Sequence, residues 1–219
     1  FMSILAIVTE DADIGPLLSW GARLAQAHKL DFHVVHFKLD PKEHEAQSIS
    51  LDVAVKDDEK SEQIREAIRV REPQPIFKLL KHPKPVEAIQ ALISELSCRL
   101  LLVGLHSKGK SFDNQWKVQL QDLGPCDIMM LRAGADSGSK CDRVLIPISG
   151  GPHCRVALRW ADPLTETEDS IIAALHVAKD FGEDSVAVGL RQIKKAIKDA
   201  GVTPEESIDP KVVVANNVK

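Results

Sequence analysis

Residues 3–8 (SILAIV) form an unbroken apolar run closed by Thr9, Glu10 and Asp11. That is the pattern of a strand covered on both faces and followed by a polar turn. Over residues 15–29 the apolar spacing changes to three and four, through Leu17, Trp20, Gly21, Leu24, Ala27 and His28, which predicts a helix. Residues 32–37 read as a second strand, giving β-α-β. Residues 38–60 carry charge with little periodicity and are expected as a surface loop, and residues 62–71 as a short helix ended by Pro73 and Pro75. A third strand (76–80), an amphipathic helix after two prolines (86–96) and a fourth strand (99–104, RLLLVG) follow. A helix around 116–123 and a fifth strand at 127–131 complete this first unit. Strands alternating with helices predict an α/β fold, a parallel twisted sheet with helices on both faces.

Residues 134–140 are small and polar, the composition of a linker between a first domain (1–133) and a second (141–219). The opening pattern then returns. Residues 144–148 repeat the apolar strand, Trp160 follows it as Trp20 follows the first, and Leu175-His176 ends a strand where the first unit has Val35-His36. The subtractions 160 − 20 and 176 − 36 both give 140, so strand, helix Trp and strand-end His share one ungapped offset. Such a shared offset argues for internal duplication. The second copy continues with a helix (186–200), a Gly201 cap and a strand (212–215), without counterparts of residues 99–131. An apolar edge is thereby expected to stand open unless the natural chain continues or another element covers it.

The 219 residues exceed the ~100–150 commonest for one domain, which fits two units. With 28 basic against 32 acidic residues the formal charge is −4, leaving no basic field for nucleic acid. Aromatics are 4% of the chain and Tyr is missing, which disfavours a base-stacking platform or an aromatic cage. No apolar run reaches the ~20 residues of a membrane span. Cys98, Cys126, Cys141 and Cys154 lack C-x-x-C spacing and read as free thiols in a reducing, cytoplasmic setting. The eight histidines show no H-E-x-x-H or mixed His/Cys clustering, so no metal site is expected. Ser149 with His153 lacks the G-x-S-x-G elbow of a hydrolase, and no other catalytic constellation is present. The turn they share, residues 149–153, is expected as a tight strand-to-helix turn with Pro152 at the first helical position.

In these features the sequence resembles the universal stress protein superfamily. The resemblance rests on the ILAIV strand, Leu24-Ala25 in the helix, the strand ending in Val35-His36, the segment RLLLVGLHSKGKS, and Gly124-Pro125-Cys126-Asp127-Ile128 leading to a final strand and Arg132. The second opening, VLIPISGGPHCRVAL, is similar to tandem stress-protein units fused behind transport proteins, including cation-chloride cotransporters, amino-acid permeases and chloride channels. The resemblance implies tandem units with the second incomplete. Family members that bind nucleotide use an Asp at the end of the first strand and a loop of form G-x-x-G, nine residues, then G-S/T. Glycines there let backbone N–H groups approach phosphate. Here Gly104 matches the first glycine and His106 the next loop residue, but Ser107 takes the second glycine, Lys117 the third and Val118 the hydroxyl position. Thr9 takes the place of the acid, with Glu10 beside it, and Ser149 takes it in the second unit. A side chain where backbone must meet phosphate argues that ATP binding is lost. The resemblance therefore implies a non-enzymatic cytosolic regulatory or dimerisation module, no resident cofactor, and a membrane transporter domain in the same protein. The alternative it leaves is a stand-alone stress protein sensing ATP or AMP through Thr9, Glu10, Gly104, His106, Lys108, Gly109 and Ser111.

Overall fold

The computed structural model describes residues 2–8, 14–39, 47–49, 59–82, 84–104, 123, 126–131, 143–164, 170–179, 184–202 and 208–215. By their internal packing the residues fall into two compact units, Phe1–Ser139 and Lys140–Lys219.

In the first unit β1 (Ser3–Val8), β2 (Asp31–Leu39), β3 (Gln47–Ile49), β4 (Ile76–His82), β5 (Cys98–Gly104) and β6 (Asp127–Leu131) make one sheet in the order β3-β4-β2-β1-β5-β6. Five strands run parallel and β3 joins β4 antiparallel. Every residue of β1 is buried, as its unbroken apolar run requires of a central parallel strand. Helices α1 (Ile14–His28) and α2 (Glu59–Arg69) cross on one side of the sheet, and α3 (Pro85–Glu95) on the other. Around α3, Ala88, Ile89, Leu92 and Ile93 meet Leu5, Ile7, Val35, Phe37, Leu80, Leu101 and Val103 in one core. Pro85 supplies the first turn of α3, where its missing N–H has no helical partner to lose.

Two expectations need correction. The stripe of α1 that enters the core is Leu17, Leu18, Gly21, Ala22, Leu24 and Ala25; Ala27 is exposed, and Trp20 and His28 are only half-buried. The reason is Gly21. A Cβ there would stand 2.2 Å from Cζ of Phe32, so the helix lies on the sheet through its smallest residue and Trp20 is turned aside. Residues 38–60 are also more than a loop: β2 runs on to Leu39, and Gln47–Ile49 forms the antiparallel edge strand β3. Three residues are too few to leave a period-two signal. The expected helix at 116–123 lies outside the described residues except for Leu123, which is buried in the α3 core.

In the second unit β7 (Arg143–Pro147), β8 (Ile171–Lys179) and β9 (Ile208–Ala215) form a parallel sheet in the order β7-β8-β9. Helices α4 (Pro152–Ala161) and α5 (Ser185–Ala200) pack on one face, with Cys154, Leu158, Ile193 and Ile197 against Ile146, Ile172, Ala174 and Ile208. Trp160 is fully buried here, unlike Trp20. Gly201 ends α5 in the left-handed region at φ 71°, its N–H donating to the Lys198 carbonyl. The strand at 208–215 begins earlier than the sequence pattern suggests. Pro210 hides that beginning, and the edge position of β9 tolerates it, since an edge strand need not donate on both sides.

Pairing in the two units follows one register. Ser3 faces Asp31 and Arg143 faces Ile171; 143 − 3 and 171 − 31 both give 140, the offset already seen in the sequence. His36 faces Leu79 of β4, and His176 faces Val212 of β9. Thus β4-β2-β1 and β9-β8-β7 are the same three-strand arrangement.

Candidate functional site

In open α/β sheets a ligand sits beyond the carboxyl ends of the strands, where successive connections depart in opposite directions. In the first unit that place lies between β1 and β5, from which the strands run outward to β2 and β4 on one side and to β6 on the other. Ile7 of β1 faces Val103 of β5, and the two strands end at Val8 and Gly104. Gly104, half-buried and opposite Leu131 of β6, therefore stands at this switch point. Thr9, Glu10, His106, Lys108, Gly109 and Ser111 lie outside the described residues. Of the predicted set only Gly104 has a described position.

The buried polar groups nearby are structural. His36 Nδ1 and Ser61 Oγ stand 2.8 Å apart and tie α2 to β2; with exposures of 0% and 1% the pair is closed to any substrate. At the equivalent position His176 Nδ1 donates to the Ile148 carbonyl at 2.6 Å. A Cβ on Gly189 of α5 would stand 3.1 Å from this imidazole and 2.7 Å from Val212, so the ring occupies the space a side chain would take. His33, buried on β2, is held below its ordinary pKa of 6.5, first by burial and then by the Lys78 ammonium, with Asp31 and Glu95 opposing.

The glycine turn of the second unit takes the expected form. Gly150 (φ 83°) and Gly151 (φ 97°) adopt the left-handed region, and Pro152 opens α4. Ser149 Oγ is 3.4 Å from the Gly150 carbonyl and 3.8 Å from Cys154 Sγ, contacts within the turn and the start of α4. Among the described residues no cluster of three His, Cys, Asp or Glu side chains could hold a metal ion, and no helix is long and apolar enough to cross a membrane.

Two features escaped the sequence pattern. Facing away from α4 and α5, the second sheet presents Leu145, Pro147, Ile171, Val177 and Val213 to solvent, with Leu175 half-buried among them. Beside that face, β7 has β8 on one side and no strand on the other among the described residues, the open edge that the sequence does lead one to expect. The repeat offset was the available signal, because it pairs Leu145 with buried Leu5 and Val177 with buried Phe37. The second feature is the approach of Cys98 to Cys126, Sγ to Sγ 3.7 Å, which a spacing of 28 residues conceals.

No family model matches the chain, and no curated protein matches it.

Proposed function

We propose that the chain is a non-enzymatic regulatory and dimerisation module, two stress-protein-like units in tandem, acting at the cytosolic face of a membrane as the soluble part of a transporter of the cation-chloride cotransporter or permease type. One observation carries the assembly role: among the described residues the second sheet leaves an apolar face and the β7 edge without cover, while the same positions of the first sheet are sealed. Contiguous apolar surface beside an open strand edge is the mark of an interaction site. Light scattering of the full chain tests it. A dimer at micromolar concentration that becomes monomeric in the double variant Leu145→Glu, Val213→Glu is the expected result; a monomer at every concentration overturns the reading. The transporter association rests on the likeness of VLIPISGGPHCRVAL to units fused behind transport proteins. Recovery of the native protein in the carbonate-resistant membrane fraction supports it, and recovery only in the soluble fraction refutes it.

The position of Gly104 favours a second reading. It stands at the switch point between β1 and β5, where an adenine nucleotide would sit if the first unit is a stand-alone ATP or AMP sensor. Calorimetry with both nucleotides separates the readings. Heat of binding that disappears in Gly104→Val supports the sensor, and no heat at millimolar nucleotide with folded protein removes it.

A further inference from the structure

Cys98 opens β5 and Cys126 immediately precedes β6, so two neighbouring parallel strands bring both thiols to one end of the sheet. Leu100 faces Asp127, and the register of β5 against β1 shifts between Cys98 and Leu100, an irregularity that leaves Cys98 on the same side as Cys126, both against the α3 core. The sulfurs themselves stand 3.7 Å apart. Rotation of the side chains covers the remaining distance to a bond of ~2.05 Å.

The pair is also asymmetric. Cys98 is buried and Cys126 half-exposed. The hydrogen bond between the two thiols holds the Cys98 thiol below its ordinary pKa, against the opposing effect of burial. The same bond, together with burial, pushes Cys126 up. Cys98 is thus the sulfur that ionises first, and the thiolate is the form that reacts.

We propose that Cys98 and Cys126 are a reversible redox modification site, a dithiol that a small peroxide converts to a disulfide and a dithiol reductant restores. The oxidant is small because Cys98 is only 5% exposed. The Cys98 thiolate attacks hydrogen peroxide, breaking the O–O bond and releasing hydroxide, and becomes a sulfenic acid. The Cys126 sulfur then attacks that of Cys98; the S–S bond forms, the S–O bond breaks, and the leaving oxygen departs as water with the Cys126 proton. The hydroxide from the first step takes up the proton Cys98 had lost. Two thiols and one peroxide give one disulfide and two waters, the sulfurs being oxidised and the peroxide oxygens reduced. The product would staple the edge strand β6 to β5.

The test is peptide mapping of the full chain after mild hydrogen peroxide treatment, with free thiols alkylated under denaturing conditions. A linked peptide pair containing Cys98 and Cys126, lighter by two hydrogen atoms and lost on treatment with dithiothreitol, is the expected result. In the Cys126→Ser variant a dimedone adduct on Cys98 is expected instead. Alkylation of both cysteines after oxidation, or conversion of either to sulfinic acid with no linked peptide, overturns the proposal. The wild-type mapping decides the matter even if the variant fails to fold.

Discussion

Leu5, Val35, Phe37 and Leu80 on the α3 side of the first sheet are exposed by 0%, 0%, 2% and 7%, whereas among their counterparts Leu145, Val177 and Val213 are exposed by 62%, 44% and 50% and Leu175 is half-buried. The chain thus carries one three-strand pattern twice, with one face closed over by α3 in the first copy and bare in the second. Apolar residues at those positions belong to the strand pattern. What makes them core is the element laid across them. Among the described residues the second unit keeps the side chains of a two-sided sheet with helices on one side only, and the uncovered side is where association would gain most from burial.

Truncation at equivalent positions breaks the comparison most directly. Leu5→Ala is expected to cost about 2–5 kcal/mol in chemical denaturation, because it opens a cavity in a closed core. Leu145→Ala should cost under about 0.5 kcal/mol in the same measurement at concentrations too low for association. Equal losses would mean that the second face is covered in solution. Next come the close helix–sheet approaches. Gly21→Ala forces a methyl into the buried ring of Phe32, for about 1–3 kcal/mol of destabilisation by thermal or urea unfolding. Gly189→Ala meets Val212 on the half-open edge strand, where the side chain can yield and better helix propensity offsets the contact, so its change should stay within about 1 kcal/mol. A smaller effect concerns His33. Its folded pKa lies below the unfolded value of 6.5, so the fold binds the proton less well than the unfolded chain. That stability is present above pH 6.5 and is lost as pH falls through the lower folded value. Denaturation midpoints measured at pH 7.5 and 5.5 should therefore differ less in His33→Gln than in the parent. A small effect is likewise expected for Glu95→Gln, which removes the exposed partner of Lys78 in a 3.0 Å ion pair and should change stability by under about 1 kcal/mol in urea unfolding.

Much of the fold was legible because its strands are long and apolar. The unbroken run of β1 fits a strand buried on both faces, which it is, and the offset of 140 between Trp20 and Trp160 returned in the pairing of β1 with β2 and of β7 with β8. Where side-chain size rather than periodicity decides, the reading slipped. Gly21 rotated the buried stripe of α1 away from Trp20 and Ala27, and Pro210 concealed the first half of β9. The candidate site was the least legible part. Gly104 stands where a switch-point ligand would lie, yet nothing in a local pattern tells whether Ser107 and Lys117 deny phosphate the backbone it needs. Cys98 and Cys126 come together through the pairing of β5 with β6, a tertiary relation that no spacing encodes.

The two margins of the small sheet are guarded alike. Along β9, Pro210 withholds a donor, and Asp209 and Lys211 hold a 2.8 Å ion pair in the strand. Along β7, Pro147 likewise withholds a donor and Arg143 sets a charge at the start of the strand. A ribbon adhesive at both borders would recruit copy after copy into a filament, whereas one blunted at its borders and bare on a face exhausts its valence once two chains have met face to face.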